Sequence, residues 1–281
     1  MSNAAHTLVT TQGELSYFDW GSGDPVLCLH GLGDQGIVWE SLGTSLADTH
    51  RVIALDLPGH GDSYKPSDES AFASPKLVSL LEEYANTQNL ENLTVIAHSW
   101  SAKLALIWAK QNPTRIKQLI LVDPFFVNRF PGLLKITLPL LYRTLPFLKM
   151  MGPFTNQAAA ETMAKSLKQY QGWSLAQQKL FQTSVDQKPD GSWGSKFSLE
   201  ARNGVFLDTF EVSGLIDTVD VPCQVLLPKD GLNRRPWQIK PYKTHLPQLT
   251  LQTIAGNHWP HLVEAEQFNR AIQKILSHEA I

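Results

Sequence analysis

The sequence predicts an α/β fold built on a mostly parallel β-sheet. Short, almost entirely apolar segments alternate along the chain with longer segments in which apolar residues recur at helical spacing. Strands that are apolar throughout are covered on both faces, as in a parallel sheet between two layers of helices. Four such strands are predicted at residues 25–30, 51–56, 93–97 and 118–122.

The remaining elements extend this alternation in both directions. Residues 14–20 alternate between polar and apolar side chains, which predicts an antiparallel strand near the edge of the sheet. Two more strands are predicted at residues 223–227 and 249–254. Helices are predicted from Ser74-Pro75 onward, over residues 100–111 and around residues 268–276.

One long segment interrupts this alternation of strands and helices after the strand at residues 118–122. Residues 125–211 show several helical patterns broken by Pro and Gly, and no strand pattern. We therefore predict a helical cap at 125–211 on a core formed by residues 1–124 and 212–281.

Within this cap, residues 129–153 carry Arg129, Lys135, Arg143 and Lys149 and no acidic residue. Such a segment could admit an amphipathic or anionic substrate or touch a membrane surface. It could also bury its Leu and Phe side chains while the basic groups reach water. We favour the second interpretation.

Composition excludes several classes of protein. Among 281 residues, 24 Lys and Arg balance 26 Asp and Glu to a formal net charge of −2, which argues against a nucleic-acid partner. The only two cysteines, Cys28 and Cys223, cannot form a disulfide framework or a cysteine-rich metal site, and we predict no metal or cofactor. No apolar run is long enough for a stable membrane span, and residues 1–5 lack the start of a signal peptide, so a cytoplasmic location is expected.

Ser99 is the first candidate for chemistry. It lies in Ala97-His98-Ser99-Trp100-Ser101, directly after a predicted buried strand and before a predicted helix. A serine on such a tight turn is exposed at the carboxyl edge of the sheet, and small residues two positions away on each side let strand and helix pack closely. A serine that only caps the helix is the alternative.

Three further features follow other strands at the same edge. Glycines after His30 allow the backbone N–H of Leu32, together with that of Trp100, to face an oxyanion. His258, on the loop after the last strand, is a candidate general base, with His261 as a weaker competitor. The carboxylate that orients it is either Asp230 or Asp123, and we favour Asp230 because it lies between Ser99 and His258 in chain order.

These features together resemble the α/β-hydrolase fold family. Supporting motifs are found at residues 56–63, 221–223 and 256–264. The resemblance implies an eight-stranded, mostly parallel sheet with a cap after the sixth strand. It also implies Ser99 as nucleophile, Asp230 as acid, His258 as base, and Leu32 and Trp100 as oxyanion donors.

The turn His98-Ser99-Trp100 is similar to the His-Asp-Trp turn of haloalkane dehalogenases, with serine in place of the aspartate. Because serine attacks acyl carbon, and because Leu32 stands where those enzymes have a side-chain donor, dehalogenation is not expected. Both glycines usual in the family's turn are replaced, by Ala97 and Ser101.

The sequence thus predicts a serine hydrolase that cleaves an ester, thioester or related acyl bond of an apolar or amphipathic small molecule. His30, Trp237 and Trp259 lie near the predicted catalytic positions and are candidates for the substrate pocket. An acyltransferase, lyase or carbon–carbon bond hydrolase using the same residues, or a non-catalytic binding protein, remains an alternative. The sequence does not indicate the oligomeric state.

Overall fold

A computed structural model describes residues 5–277, so residues 1–4, which belong to the segment examined for a signal peptide, lie outside it. The strands are β1 His6–Val9, β2 Glu14–Trp20, β3 Asp24–Leu29, β4 His50–Leu55, β5 Leu93–His98, β6 Ile116–Val122, β7 Val185–Gln187, β8 Trp193–Ser195, β9 Cys223–Asp230 and β10 Leu249–Asn257. The helices are α1 Glu40–Leu46, α2 Ser74–Thr87, α3 Ser101–Gln111, α4 Leu138–Thr144, α5 Gln157–Lys165, α6 Leu175–Ser184, α7 Leu199–Asp208, α8 Pro236–His245, α9 Pro260–Val263 and α10 Ala265–Ser277.

The main sheet has eight strands in the order β1-β2-β4-β3-β5-β6-β9-β10. The pairs β1–β2 and β2–β4 are antiparallel, and the other pairs are parallel, so the predicted mostly parallel sheet is confirmed. The short, exposed edge strand β1 was not predicted from the sequence.

The core lies on both faces of this sheet. Along β3, Leu27 and Leu29 pack into one apolar cluster and Val26 and Cys28 into the other. Helices α2 and α3 contribute to the first cluster, and α1 and α10 to the second. The uninterrupted apolar runs in the sequence are explained by this double coverage.

We use the term cap for residues 125–211. It contains α4 to α7, and also β7 and β8, which form an antiparallel hairpin by pairing Val185 with Ser195 and Gln187 with Trp193. The expectation that this segment contains no strand is therefore wrong. Each strand has only three residues, too few for an alternation of polar and apolar side chains to be visible.

Among residues 5–277, no helix combines the length and the apolar character needed to cross a bilayer.

Candidate active site

Ser99 lies on the turn between β5 and α3, as the sequence predicts. Its backbone φ is +58°, a left-handed conformation that is unfavourable for residues other than glycine. This conformation is typical of the tight strand-to-helix turn that presents a nucleophile. The Ser99 N–H donates to the carbonyl of Val122 on β6, and the Ser99 carbonyl accepts from Phe125 N–H. These bonds hold the strained turn against the neighbouring strand.

His258 follows β10 and contacts Ser99 directly. The Ser99 hydroxyl donates to His258 Nε2 over 3.0 Å, and His258 Nδ1–H donates to Asp123 Oδ2 over 2.7 Å. Asp123 is fully buried at the end of β6. Hydroxyl, imidazole and carboxylate therefore form one continuous hydrogen-bonded chain.

The preference for Asp230 over Asp123 is wrong. The Asp230 side chain is 73% exposed and pairs with Arg234 at 2.7 Å. The loop that follows Asp230 instead encloses Asp123: Leu232 N–H donates to its Oδ2 over 2.8 Å, and Asn233 Nδ2 donates to its Oδ1 over 2.8 Å.

Gly231 is required in this loop. A Cβ atom at that position would lie 2.5 Å from Asp123 Oδ2, closer than two such atoms can approach. The loop after β9 thus supplies the surroundings of the Asp123 carboxylate, while its own carboxylate at Asp230 turns to the surface at the cavity mouth.

The two predicted oxyanion donors are the backbone N–H groups of Leu32 and Trp100. Leu32 lines the same cavity as Ser99, and the N–H of Trp100 is the first after Ser99, at the start of α3. Neither N–H has an acceptor within the part of the chain that the structure describes. Both groups are therefore free of protein acceptors among residues 5–277, and their role as oxyanion donors stays a prediction.

His30 is fully buried and does not line the cavity, so its predicted place in the substrate pocket is wrong. Its Nδ1 bonds the Gly31 carbonyl over 2.7 Å, and its Nε2 accepts from Leu57 N–H over 3.0 Å. Burial lowers the pKa of His30 to about 4, so the ring is neutral and fixes the loop that presents Leu32.

Two polar residues that the sequence analysis did not assign complete the site. His98 Nε2–H donates to the backbone carbonyl of His258 over 2.7 Å, while its Nδ1 is buried without a partner in the described chain. Asp34 lies 3.8 Å from that nitrogen, accepts from Trp259 Nε1–H over 3.0 Å and lines the cavity. Burial raises the pKa of Asp34 to about 7, so the same cavity that Ser99 lines also holds a carboxyl group that is protonated below about neutral pH.

The cavity above Ser99 has a volume of about 390 Å³ and is lined mainly by apolar groups. Its apolar lining includes Leu32, Phe125, Phe126, Leu145, Pro146, Phe147, Leu167 and Trp259. Trp259 is thus in the pocket, as expected. Trp237 is not, because it lies near the start of α8 with 72% of its surface exposed, and its expected place in the pocket is wrong.

His261, the weaker candidate for the general base in the sequence analysis, lies in the apolar core and not next to Ser99. Its ring stacks on Trp39 at a centroid distance of 4.5 Å, and neither ring nitrogen has a hydrogen-bond partner among the described residues. Burial lowers the pKa of His261 to about 3. It is a neutral side chain of the core.

This burial predicts a pH dependence of stability. In the unfolded chain His261 has its ordinary pKa of 6.5, and in the folded protein its pKa is about 3. Stability contributed by the neutral ring is therefore present above pH 6.5 and is lost as the pH falls towards 3. We expect His261→Leu to reduce the slope of unfolding free energy against pH in this window by up to about 1.4 kcal/mol per pH unit. Urea titrations at several pH values measure the slope, and parallel curves for variant and wild type would contradict the prediction.

Fold and site together define a hydrolase. Residues 24–265 match the family described as alpha/beta hydrolase fold, so the chain belongs to the α/β-hydrolase fold family and is an enzyme, as predicted. The chain is 24% identical to a serine hydrolase-like protein of Danio rerio over 94% of its own length and 85% of the relative. It is 31% identical to the cis-3-alkyl-4-alkyloxetan-2-one decarboxylase of Shewanella oneidensis over 42% of its own length and 38% of the relative.

Among solved structures, the thioesterase domain from the curacin biosynthetic pathway superposes with a TM-score of 0.80 at 22% identity, covering 98% of this chain and 100% of that one. This similarity concerns the fold. The chain covers only 24% to 38% of the length of three curated relatives that match it over short stretches.

Proposed function

We propose that this hydrolase cleaves a carboxylic ester, thioester or related acyl bond through an acyl-enzyme at Ser99. The observation that carries the proposal is the continuous chain of hydrogen bonds from Ser99 Oγ through His258 to Asp123. In such a chain the imidazole accepts the serine proton as the hydroxyl attacks, and the buried carboxylate stabilises the imidazolium that forms.

The reaction proceeds in two halves. Ser99 Oγ attacks the acyl carbon while His258 Nε2 takes its proton, and the developing oxyanion accepts hydrogen bonds from the N–H groups of Leu32 and Trp100. The bond to the leaving group breaks, and His258 returns the proton to that group. Water then attacks the acyl-enzyme, His258 accepts one of its protons, and the acid leaves as the proton returns to Ser99.

The cavity indicates the substrate class. Phe125, Phe126 and Phe147 line it, and polar residues such as Lys168 and Gln169 contribute less of its surface. An apolar acyl or alcohol group fits this lining, which agrees with the expected apolar or amphipathic small molecule. The thioesterase domain named above acts on an acyl bond of the same chemical class. The proposed steps require neither a metal nor a cofactor, and the cytoplasmic location stays a prediction.

Labelling with a fluorophosphonate tests the proposal, because this reagent phosphonylates only an activated serine. We expect one adduct on the wild type by intact mass, mapped to Ser99 in the digest, and none on Ser99→Ala. A Ser213→Ala variant serves as a matched control and should label like the wild type, since the Ser213 hydroxyl contacts Asn128 and lies outside the cavity lining. An adduct that persists on Ser99→Ala, or no adduct on the wild type, would contradict the proposal, and the second result would favour a non-catalytic binding protein.

Product analysis distinguishes hydrolysis from acyl transfer by the same residues. With an ester that the wild type accepts, hydrolysis in ¹⁸O-water should place the label in the released acid even when alcohols or amines are added. Transfer of the acyl group to an added alcohol or amine would identify an acyltransferase.

A further inference from the structure

Three apolar side chains of the cap project into solvent as one row. Leu133, Ile136 and Leu140 are 86%, 82% and 65% exposed. Leu133 and Ile136 lie in the 3₁₀ turn Gly132–Thr137, in which residues three apart are on the same side, and Leu140 follows one turn later in α4. We call these three residues the cap row.

The cap row contradicts the interpretation favoured from the sequence. That interpretation has the cap burying its large apolar residues while only the basic groups reach water, and Leu138 and Leu148 do follow it. Leu133, Ile136 and Leu140 do the opposite. A contiguous exposed apolar surface is a feature of interaction sites.

The chain segment that carries the cap row is basic. Between Pro124 and Ala160 the sequence has no acidic residue. Arg129, Arg143 and Lys149 are exposed and form no ion pair within residues 5–277, whereas Lys135 is paired with Glu211 at 3.2 Å. Since the whole chain has a formal net charge of −2, this positive surface is local.

We propose that the cap row docks the enzyme on an anionic membrane surface. Apolar side chains that enter the boundary of a lipid layer, flanked by Arg and Lys that meet its anionic head groups, are the features of interfacial binding. A second copy of the chain fits less well, because a symmetric dimer through this face would oppose Arg143 and Lys149 to the same positive charges.

The docking surface adjoins the cavity lining along the chain. Leu145, Pro146 and Phe147 line the cavity and directly follow α4, which carries Leu140 of the cap row. A substrate with a long apolar chain would therefore leave the lipid layer next to the cavity wall. Docking itself does not depend on the acyl chemistry proposed for Ser99.

Flotation with vesicles tests the proposal. The wild type should float with vesicles of phosphatidylcholine and phosphatidylglycerol, less with phosphatidylcholine alone, and less at high salt, which screens the charges. The variant Leu133→Glu/Ile136→Glu should bind the anionic vesicles at least about tenfold more weakly, because it removes the inserted groups and adds two negative charges. The matched control is Leu175→Glu, an 83% exposed leucine at the start of α6, which should float like the wild type.

Two other measurements distinguish a loss of membrane binding from a loss of the fold and from self-association. Hydrolysis of a water-soluble short ester should be unchanged in the double variant, which shows that the fold and the chemistry at Ser99 are intact. No flotation of the wild type, or equal losses in the double variant and in Leu175→Glu, would overturn the proposal. A wild-type dimer in light scattering that the double variant abolishes, without vesicle binding, would assign the cap row to self-association instead.

Discussion

Replacing Asp123 with asparagine should lower kcat for any ester that the enzyme cleaves by about 10⁴-fold. An amide at this position cannot stabilise the imidazolium that forms on His258. Its N–H group, if it faces His258 Nδ1, also favours the tautomer that cannot accept the Ser99 proton. The KM should change little, because Asp123 does not line the substrate cavity.

Asp230→Asn is the matched control, since both residues lie at the carboxyl ends of neighbouring strands and only Asp123 contacts His258. Its exposed pair with Arg234 is of the kind that contributes little to stability, and its loss should leave kcat nearly unchanged. A large loss in Asp230→Asn with a mild one in Asp123→Asn would show that the loop after β9 rearranges in solution and that Asp230 is the acid.

A loss in Asp123→Asn must also be separated from misfolding. Asp123 accepts hydrogen bonds from Leu232 and Asn233, so the substitution also affects the loop after β9. Asparagine retains an oxygen that can accept from one of these donors. A cooperative thermal transition with unchanged KM would assign the loss to chemistry, whereas a lowered transition temperature with a raised KM would assign it to the loop.

The position of Ser99 could be predicted because its determinants are local. Ser99 follows a buried strand and precedes an apolar helix, and this context predicts the tight turn that the structure shows, although Ser99 itself is buried rather than exposed. His258 was predictable for a similar reason, since a loop after a parallel strand emerges at the same edge of the sheet as Ser99. The parallel sheet itself followed from continuous apolar runs.

The carboxylate that contacts His258 could not be predicted in this way. Asp123 follows β6 and Asp230 ends β9, and these strands are direct neighbours, so both carboxylates emerge at the same edge. The choice depends on which side chain turns inward. That is decided by the space at Gly231 and by donors on Leu232 and Asn233, which no periodicity in the sequence reveals.

The burial of single side chains was the other property that could not be predicted from the sequence. Trp237 was expected in the pocket because of its position in the chain, but α8 turns it to solvent. Asp34 was not considered, although a buried acid four residues after His30 faces the cavity. In both cases the direction of a side chain depends on the packing of distant elements, which local patterns do not encode.

The largest expected effect on stability concerns a buried ion pair between the cap and the core. Lys103 of α3 and Asp208 at the end of α7 are 2% and 7% exposed, and Lys103 Nζ lies 2.5 Å from Asp208 Oδ2. The same carboxylate accepts from Ser74 N–H over 2.9 Å and from the Ser74 hydroxyl, at the start of α2. One side chain thus connects α7 with two core helices.

We expect Asp208→Ala to lower the free energy of unfolding by about 3–5 kcal/mol, the usual cost of leaving one partner of a buried pair without its counter-charge. Burial already lowers the pKa of Lys103, and Asp208 partly offsets this effect, so the variant should hold Lys103 with a still lower pKa. Urea unfolding at neutral pH measures the loss. Glu266→Ala, which breaks the exposed pair with Arg270, is the control and should leave stability nearly unchanged.

The double variant Lys103→Met/Asp208→Leu separates the effect of the charge on Lys103 from the effect of the hydrogen bonds with Ser74. If the loss in Asp208→Ala comes from the uncompensated charge on Lys103, removing both charges should recover most of it, because apolar groups replace a buried pair at little cost. Equal losses in the single and double variants would instead assign the effect to the bonds with Ser74. The pair would then hold the cap to the core through α2 rather than through α3.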